Sequence, residues 1–280
     1  MKVDKKSFEI EEKSVSEYML DYIKLMCEGK SIKDSFAVFA YFLETPLRVI
    51  KREFGFYSKP SLIYNVTIKN RDGEFFCGNS WLMTQGAISD YEPASREYFN
   101  LSKGVFIDVG ANIGKYSVMV GKQLKSIGQV ISIEASEEIF EILKKNIEIN
   151  NLKNVTPINL AVSDIKGTAE FYLASKDLGT AHSLLEIKHQ SKKIEVKQNT
   201  LDNIINDLKI KKVDLIKIDV EGVEPNVLKG AYNILKRDKP KIIFESLDKK
   251  CFEKCEKILK KIGYKIKRLG PIDFVAEVWR

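Results

Sequence analysis

The chain has 280 residues, 44% hydrophobic and 30% charged, with 46 basic residues against 39 acidic ones for a formal charge of +7. Such a composition supplies one large core plus an accessory element, and it excludes a low-complexity chain. No apolar run approaches the roughly 18 residues of a membrane span, and the four scattered cysteines, Cys27, Cys77, Cys251 and Cys255, fit a reducing compartment, so a cytoplasmic location is expected.

Residues 14–28 read as a helix with Gly29 as its terminator, and 32–54 as a second helical region interrupted near Pro46. The apolar cluster at 36–43 lacks the basic leader and cleavage site of a signal peptide; a buried helix is expected there, with an interfacial membrane helix as the alternative. Residues 61–69 alternate as a strand, and Asn70-Arg71-Asp72-Gly73 is a turn into a strand at 74–77. Residues 91–100 read as a helix. The rest alternates: strands at 104–109, 129–134, 155–160, 213–219 and 240–246, and helices at 114–124, 137–149, 200–208, 224–236 and 249–262. Strands at 168–173 and 192–198 flank a polar loop, and strands at 264–269 and 272–279 close the chain without a helix between them. This alternation predicts an α/β fold with a parallel sheet covered by helices on both faces and an antiparallel pair at one edge. Residues 1–100 are expected to form an N-terminal helical and hairpin extension, and 101–280 the main domain.

The segment 105–117 carries the strongest signal. An apolar run ends in Asp108, a small-residue turn follows, and a helical pattern begins, which is the layout of a nucleotide-type cofactor site. Gly110 and Gly114 let the backbone turn sharply and approach a ligand closely. The spacing departs from the G-x-G-x-x-G of dinucleotide sites, with Asn112 where a middle glycine would sit, and there is no G-x-x-x-x-G-K-S/T phosphate loop. An anion at Asp108 disfavours a pyrophosphate and suits a ligand with an amino group and a sulfonium, which points to S-adenosylmethionine. The next apolar run ends in Glu134, where a carboxylate accepts hydrogen bonds from a ribose diol. The alternative for Glu134 is an acid beside the helix cap Ser136-Glu137-Glu138.

Three motifs stand in order: Phe106-Ile-Asp-Val-Gly-Ala-Asn-Ile-Gly114, Asn159-Leu-Ala-Val-Ser-Asp164, and Leu215-Ile-Lys-Ile-Asp-Val-Glu-Gly-Val-Glu224 followed by Val227-Leu-Lys-Gly-Ala231. With them the chain resembles the FkbM-type methyltransferases over about residues 60 to 246. The resemblance implies a class I, Rossmann-like fold with a mostly parallel seven-stranded sheet. It also implies dependence on S-adenosylmethionine and O-methylation of a hydroxyl on a saccharide, glycolipid or related small molecule. Carried onto this sequence, it implies cofactor contacts at Asp108, Gly110, Asn112, Gly114, Tyr116, Ser117, Glu134, Ala135, Ala161, Val162 and Asp219.

Methyl transfer to a hydroxyl requires alignment and removal of a proton. Asp219 ends the strand at 213–219 and is expected to face Asp108 across the crevice; Glu245 ends the next strand. Asp219, Glu221, Glu245 and the loop residue His182 are the base candidates, whereas Glu224 is expected to cap the helix that carries Pro225 in its first turn. No zinc set can be assembled from Cys251, Cys255 and two histidines, and no resident metal is expected; a divalent ion between strand-end acids such as Asp219 and Glu245 is the alternative. The expected partner is a small-molecule or glycan acceptor, with Trp81, Tyr91 and Tyr116 as candidate sugar-stacking rings. Peripheral membrane contact stays open. Nucleic acid is not expected, since there is no N/D-P-P-aromatic tetrapeptide and no aromatic-rich basic module. An RNA methyltransferase and a non-catalytic cofactor-binding protein are the competing readings.

Overall fold

The computed structural model describes residues 15–53, 65–78, 80–89, 92–173 and 192–278, and in it two helices come first, α1 (Val15–Glu28) and α2 (Ile32–Glu53), packed on each other. Reciprocal bonds between Ser31 and Asp34 set the start of α2: the Ser31 amide donates to Asp34 Oδ2 at 3.0 Å and the Asp34 amide to Ser31 Oγ at 3.2 Å. The helix runs through Pro46 without the expected break. A proline forfeits one backbone hydrogen bond, and the turns on either side keep the path. A two-stranded ribbon follows, β1 (Thr67–Lys69) and β2 (Glu74–Phe76), closed by the expected turn, where the Asn70 amide donates to Gly73 O at 2.9 Å. Of the strand expected at 61–69, the last three positions form β1 and 65–66 precede it; 61–64 lie outside the described residues. Then come α3 (Trp81–Gly86) and α4 (Pro93–Arg96), the latter continuing as a single 3-10 turn through Phe99. The helix expected at 91–100 starts only at Pro93, because Glu92 is left-handed (φ 50°) and proline fixes the first helical φ.

The main domain alternates as its periodicity predicts. The first half comprises β3 (Gly104–Val109), α5 (Lys115–Leu124), β4 (Gly128–Glu134), α6 (Glu137–Ile149) and β5 (Val155–Asn159). Next are β6 (Ala161–Val162), β7 (Gly167–Leu173) and β8 (Lys192–Asn199). The second half comprises α7 (Leu201–Asp207), β9 (Leu215–Ile218), α8 (Glu224–Gly230), α9 (Tyr232–Asp238), β10 (Lys241–Glu245), α10 (Lys249–Lys261), β11 (Lys265–Arg268) and β12 (Asp273–Glu277). Ser136, Thr200 and Asp248 cap α6, α7 and α10 by accepting from the amides of Ile139, Asn203 and Cys251.

Seven strands form the central sheet in the order β11-β12-β10-β9-β3-β4-β5, and β12 alone runs against the others. This is the α/β class I arrangement expected from the sequence, with the antiparallel pair at one edge. From β3 the chain builds outward through β4 to β5 and then returns to place β9 on the other side of β3. The strand order reverses there, so a crevice opens beyond the carboxyl ends of β3 and β9. β6, β8 and β7 make a separate three-stranded sheet beside that crevice. The single helix expected at 224–236 is two. Gly230 lies so close to the Ser163 carbonyl that a Cβ would sit 2.0 Å from its oxygen, and the backbone bends at Ala231, letting α8 pack on α10 and α9 on α7.

Alternation along the strands fills both faces of the sheet. Ile107, Val109, Ile216 and Phe244 pack with Val227, Leu228, Phe252 and Leu259 on one side; Phe106, Val130 and Leu215 pack with Phe99, Val120 and Leu143 on the other. A third cluster joins Tyr22, Leu25, Val38, Tyr41, Ile68 and Phe75 of the extension to Ile113, Val118 and Ile139 of the main domain. The 36–43 segment is buried on one face only. Val38 and Tyr41 are inside, but Ile32, Phe36, Phe39 and Leu43 point outward, Phe36 with 66% exposure, on the face of α2 that no described residue buries. No helix among the described residues is long and apolar enough to cross a membrane.

Two side chains of α6 fasten the ribbon to the domain. Asn146 Oδ1 accepts from the Phe76 amide at 2.7 Å and its Nδ2 donates to Phe76 O at 3.0 Å; Asn150 repeats the pair on Glu74 at 2.9 and 2.7 Å. The spacing matches: four helical residues rise about 6 Å, and two strand residues span just under 7 Å. Asn146 also donates to Ile113 O at 2.8 Å and is fully buried. Asn146→Ala is therefore expected to strand three backbone groups and lower the unfolding free energy by about 2–4 kcal/mol. Denaturant unfolding measures this, with earlier proteolysis of the extension as the accompanying sign; an unchanged midpoint contradicts it.

Candidate functional site

The crevice is built on one glycine. At Gly110 φ is 79°, a conformation that a side chain opposes, and a Cβ there would lie 1.8 Å from the carbonyl oxygen of Asp219. The turn after β3 can therefore press against the end of β9. The amides of Gly110 and Ala111 both donate to Ile133 O, at 2.9 and 3.0 Å, which ties the same turn to β4. Asn112 is left-handed as well (φ 51°), and Gly114 (φ 88°) starts α5.

Beyond this turn lies a cleft open to solvent. Of the expected cofactor residues, Gly110, Asn112, Glu134, Ala135, Ala161, Val162 and Asp219 line it, together with Glu221. Ile139, Leu160 and Phe171 add apolar wall that the sequence did not single out. Four expected contacts lie elsewhere. Asp108 is buried beneath the turn, where Ser117 Oγ donates to its Oδ2 at 2.6 Å and Ser132 Oγ donates to Ser117 Oγ at 2.6 Å; Gly114 and Tyr116 are also off the cleft wall. Asp108 and Ser117 thus support the turn from below. The other oxygen of Asp108 has no hydrogen-bond partner among the described residues, and burial pushes its carboxyl up despite the nearby Lys217 charge. The charge of Asp219 is felt at Asp108, in keeping with their expected proximity.

Glu134 faces the cleft at the end of β4. Its oxygens accept from the amides of Asn112 at 3.0 Å and Ser136 at 2.8 Å, so each keeps lone-pair capacity for a ligand. Burial raises its carboxyl to about 7, against the pull of those amides. Glu221 is left-handed (φ 55°) and is likewise raised to about 7, by burial and then by the charges of Asp219 and Glu224. Glu224 does not cap as expected: it opens α8 itself, where Val223 holds the cap position with no side-chain bond, and its carboxylate instead accepts from the preceding Gly222 amide at 2.9 Å and from the Cys251 thiol at 3.0 Å.

Next to Asp219 lies a polar cluster that sequence reasoning saw only in part. Lys217, 4% exposed on β9, donates to Asp219 Oδ2 at 2.8 Å and lies 3.7 Å from Glu245 Oε1. Its ammonium is 5.0 Å from the centre of the Tyr116 ring, and the Tyr116 hydroxyl donates to Glu92. Burial works against the charge of Lys217, but Asp219, Glu245 and Glu92 outweigh it and hold the ammonium charged well above the usual lysine range. Burial also raises the carboxyls of Glu245, Glu92 and Asp273. Among the described residues, single oxygens of Glu92, Glu245 and Asp273 lie within 4.8 Å of one another. The pairing of Asp219 with Glu245 considered for an ion is bridged by the lysine.

Two further expectations change. Tyr116 is no open sugar platform: its ring stacks on Phe99 at 4.2 Å and is 7% exposed, because α5 turns this face into the core. His182 and Tyr91 lie outside the described residues, as does the side chain of Trp81. Lys217 did leave a sequence signal, a lone charge inside the apolar run Leu215-Ile216-Lys217-Ile218, whereas Glu92 and Asp273 reach the cluster only through the fold.

Residues 108–266, more than half of the chain, match the family described as Methyltransferase FkbM domain. Methyltransferase 1 of Beauveria bassiana (strain ARSEF 2860) is 22% identical over 142 residues, which cover 44% of this chain and 57% of that protein. Methyltransferase sdnD of Sordaria araneosa is 24% identical over 161 residues, covering 47% of this chain and 62% of that protein. The chain thus spans less than two thirds of the length of these curated relatives. Among solved structures, methyltransferase FkbM from Methylobacillus flagellatus KT aligns with 94% of this chain and 59% of its own at 14% identity and a TM-score of 0.45. The family match covers the turn after β3, the β4 and β9 strand ends and the whole Lys217 strand, and by it the chain belongs to the FkbM methyltransferase family.

Proposed function

We propose that the protein is an S-adenosylmethionine-dependent methyltransferase that O-methylates a hydroxyl of a saccharide, glycolipid or related small molecule. The observation that carries this reading is the cleft at the reversal of strand order, with a side-chain-free turn at Gly110 and the Glu134 carboxylate facing in, in a chain of a methyltransferase family. The residues present fit the cofactor. Glu134 has lone pairs for the ribose hydroxyls, Ile139, Leu160 and Val162 offer an apolar wall for the adenine, and the bare Gly110 backbone admits close approach.

When bound, the cofactor, held by Glu134 and the bare Gly110 backbone, would supply an electrophilic methyl group on a sulfonium, whose departure as a neutral thioether would balance the transfer. The chain's own task is to align the hydroxyl and take its proton. Asp219 takes it. Its side chain keeps 27% exposure on the cleft wall and joins the cleft to the Lys217 cluster. A carboxylate suffices, because the hydroxyl becomes strongly acidic as the new carbon–oxygen bond forms. Glu221 and Glu245 flank this position. The cluster is rich in hydrogen-bonding groups, which supports a hydroxylated acceptor. Glu92, donated by the N-terminal extension, supports a role for residues 1–100 in shaping the acceptor side.

Three outcomes are expected. In calorimetry the protein binds S-adenosylmethionine, and Glu134→Ala weakens binding by about 1–3 kcal/mol, roughly 5- to 150-fold in Kd. Because the Glu134 carboxyl is raised to about 7, its ionised, accepting form is gained as pH rises, so affinity climbs between pH 6 and 8 and levels above; Glu134→Gln removes the climb. With methyl-labelled cofactor and an extract of the native cells, label enters hydroxyl positions of glycan, glycolipid or small-molecule fractions, and Asp219→Asn slows this by about 10²–10⁴. Absence of cofactor binding refutes the assignment, and label found mainly in RNA refutes the acceptor class.

A further inference from the structure

A lysine in the middle of a buried parallel strand needs an explanation that packing does not provide. The neighbours of Lys217 on β9, Leu215, Ile216 and Ile218, are all buried and apolar, and a fourth apolar residue would serve the sheet without a charge to desolvate. Removing an ammonium from water costs several kcal/mol, and a buried ion pair is often no more stabilising than the apolar residues that could replace it. The site has nonetheless been built around this charge from every neighbouring element. Asp108 comes from β3, Tyr116 from α5, Glu92 from the turn before α4, Asp219 from the end of β9, Glu245 from the end of β10 and Asp273 from the start of β12.

The contacts are not equivalent. Asp219 is the nearest carboxylate, at 2.8 Å through Oδ2, and it alone of these six lines the cleft. A bond to Oδ2 restrains the carboxylate and turns its other oxygen to a fixed direction. Glu245, at 3.7 Å on the adjacent strand, and the Tyr116 ring, at 5.0 Å, also approach the ammonium, so the buried lysine has little freedom. We propose that Lys217 is the positioning residue of the methyl transfer: fixed between Asp219 and Glu245, its ammonium holds the Asp219 carboxylate in the orientation that receives the acceptor hydroxyl. The proposal rests on the methyltransferase reading above. Lys217 acts through Asp219. It carries no proton to or from the acceptor, because its surrounding carboxylates keep it charged.

A double-mutant cycle on the full chain tests it, with S-adenosylmethionine affinity by calorimetry and label transfer to the native-cell extract as the two readouts. Lys217→Met is expected to lower the turnover rate about 10²-fold while the Kd for S-adenosylmethionine stays within about threefold, since the ammonium does not line the cleft. The variant Lys217→Met/Asp219→Asn is expected to be no slower than Asp219→Asn alone, because the lysine has nothing left to position. Losses that multiply, or a Lys217→Met rate within about threefold of wild type, overturn the proposal. A lysine needed only for folding would change the melting temperature and leave the losses independent. Should Lys217→Met fail to fold, Lys217→Arg takes its place in the cycle: the longer head displaces Asp219, and its loss must again vanish in the Asp219→Asn background. Wild-type protein that binds no cofactor, or binds it and labels nothing, defeats the underlying reading instead, so the two failures are distinct.

Discussion

The close approach of two backbones at Gly110 is the constraint from which the site follows. Any side chain there would collide with the Asp219 carbonyl, so β3 and β9 could not end side by side with their turns parting above them. The same turn is hydrogen-bonded to β4 through Ile133 and to the Glu134 carboxylate through Asn112. One bare backbone position therefore fixes the relative places of three strand ends and of the acid that faces the cleft. The left-handed residues Asn112 and Glu221 occur on the two loops that flank this contact, where the chain must leave the sheet abruptly.

Electrostatics divides the site into two parts. On the cleft side, Glu134 and Glu221 are both raised to about 7 by burial, so their charge is labile around neutrality. On the Lys217 side a permanent cation sets the balance. Two unit charges about 4 Å apart attract by about 4 kcal/mol at an effective dielectric near 20, while the desolvation cost of a buried ion is several kcal/mol. One carboxylate would barely compensate for burying the ammonium; Asp219 and Glu245 together do so, with Glu92 beyond them. Without the lysine these acids, already raised by burial, would be driven further towards their neutral forms.

Much of the fold was legible because apolar runs with helical or alternating spacing report burial directly. The runs ending in Asp108, Glu134 and Glu245 became β3, β4 and β10 in their expected places. Boundaries failed where tertiary contacts overrode local pattern: Gly230 against Ser163 divides a periodic segment into α8 and α9, and Pro46 does not interrupt α2. The site was legible where strand ends create it and illegible where distant segments meet. Asp219, Glu134 and Gly110 stand out in one dimension. Glu92 precedes an unremarkable proline, and Asp273 opens an edge strand; neither carries a pattern until β12 is laid beside β10. Asp108 ends a strand, a position that points to a ligand contact, but alternation turns its side chain under the turn, onto Ser117.

The asparagine pair of α6 has a meaning beyond attachment of the ribbon. A two-stranded β-ribbon presents two open rims, each a template on which a foreign strand can add. On the β2 rim, the amides and carbonyls of Glu74 and Phe76 that would recruit such a strand are consumed by Asn150 and Asn146. On the β1 rim, Thr67 gives its amide to Asp34 at 2.9 Å and accepts from Lys30 at 2.9 Å, with Gly29 bridging Ile68. A helix side-chain ladder on one side and an interhelical linker on the other thus complete the ribbon as though it were the middle of a wider sheet. Domain swapping or fibrillar association through this element would first require α6 and the α1–α2 linker to let go.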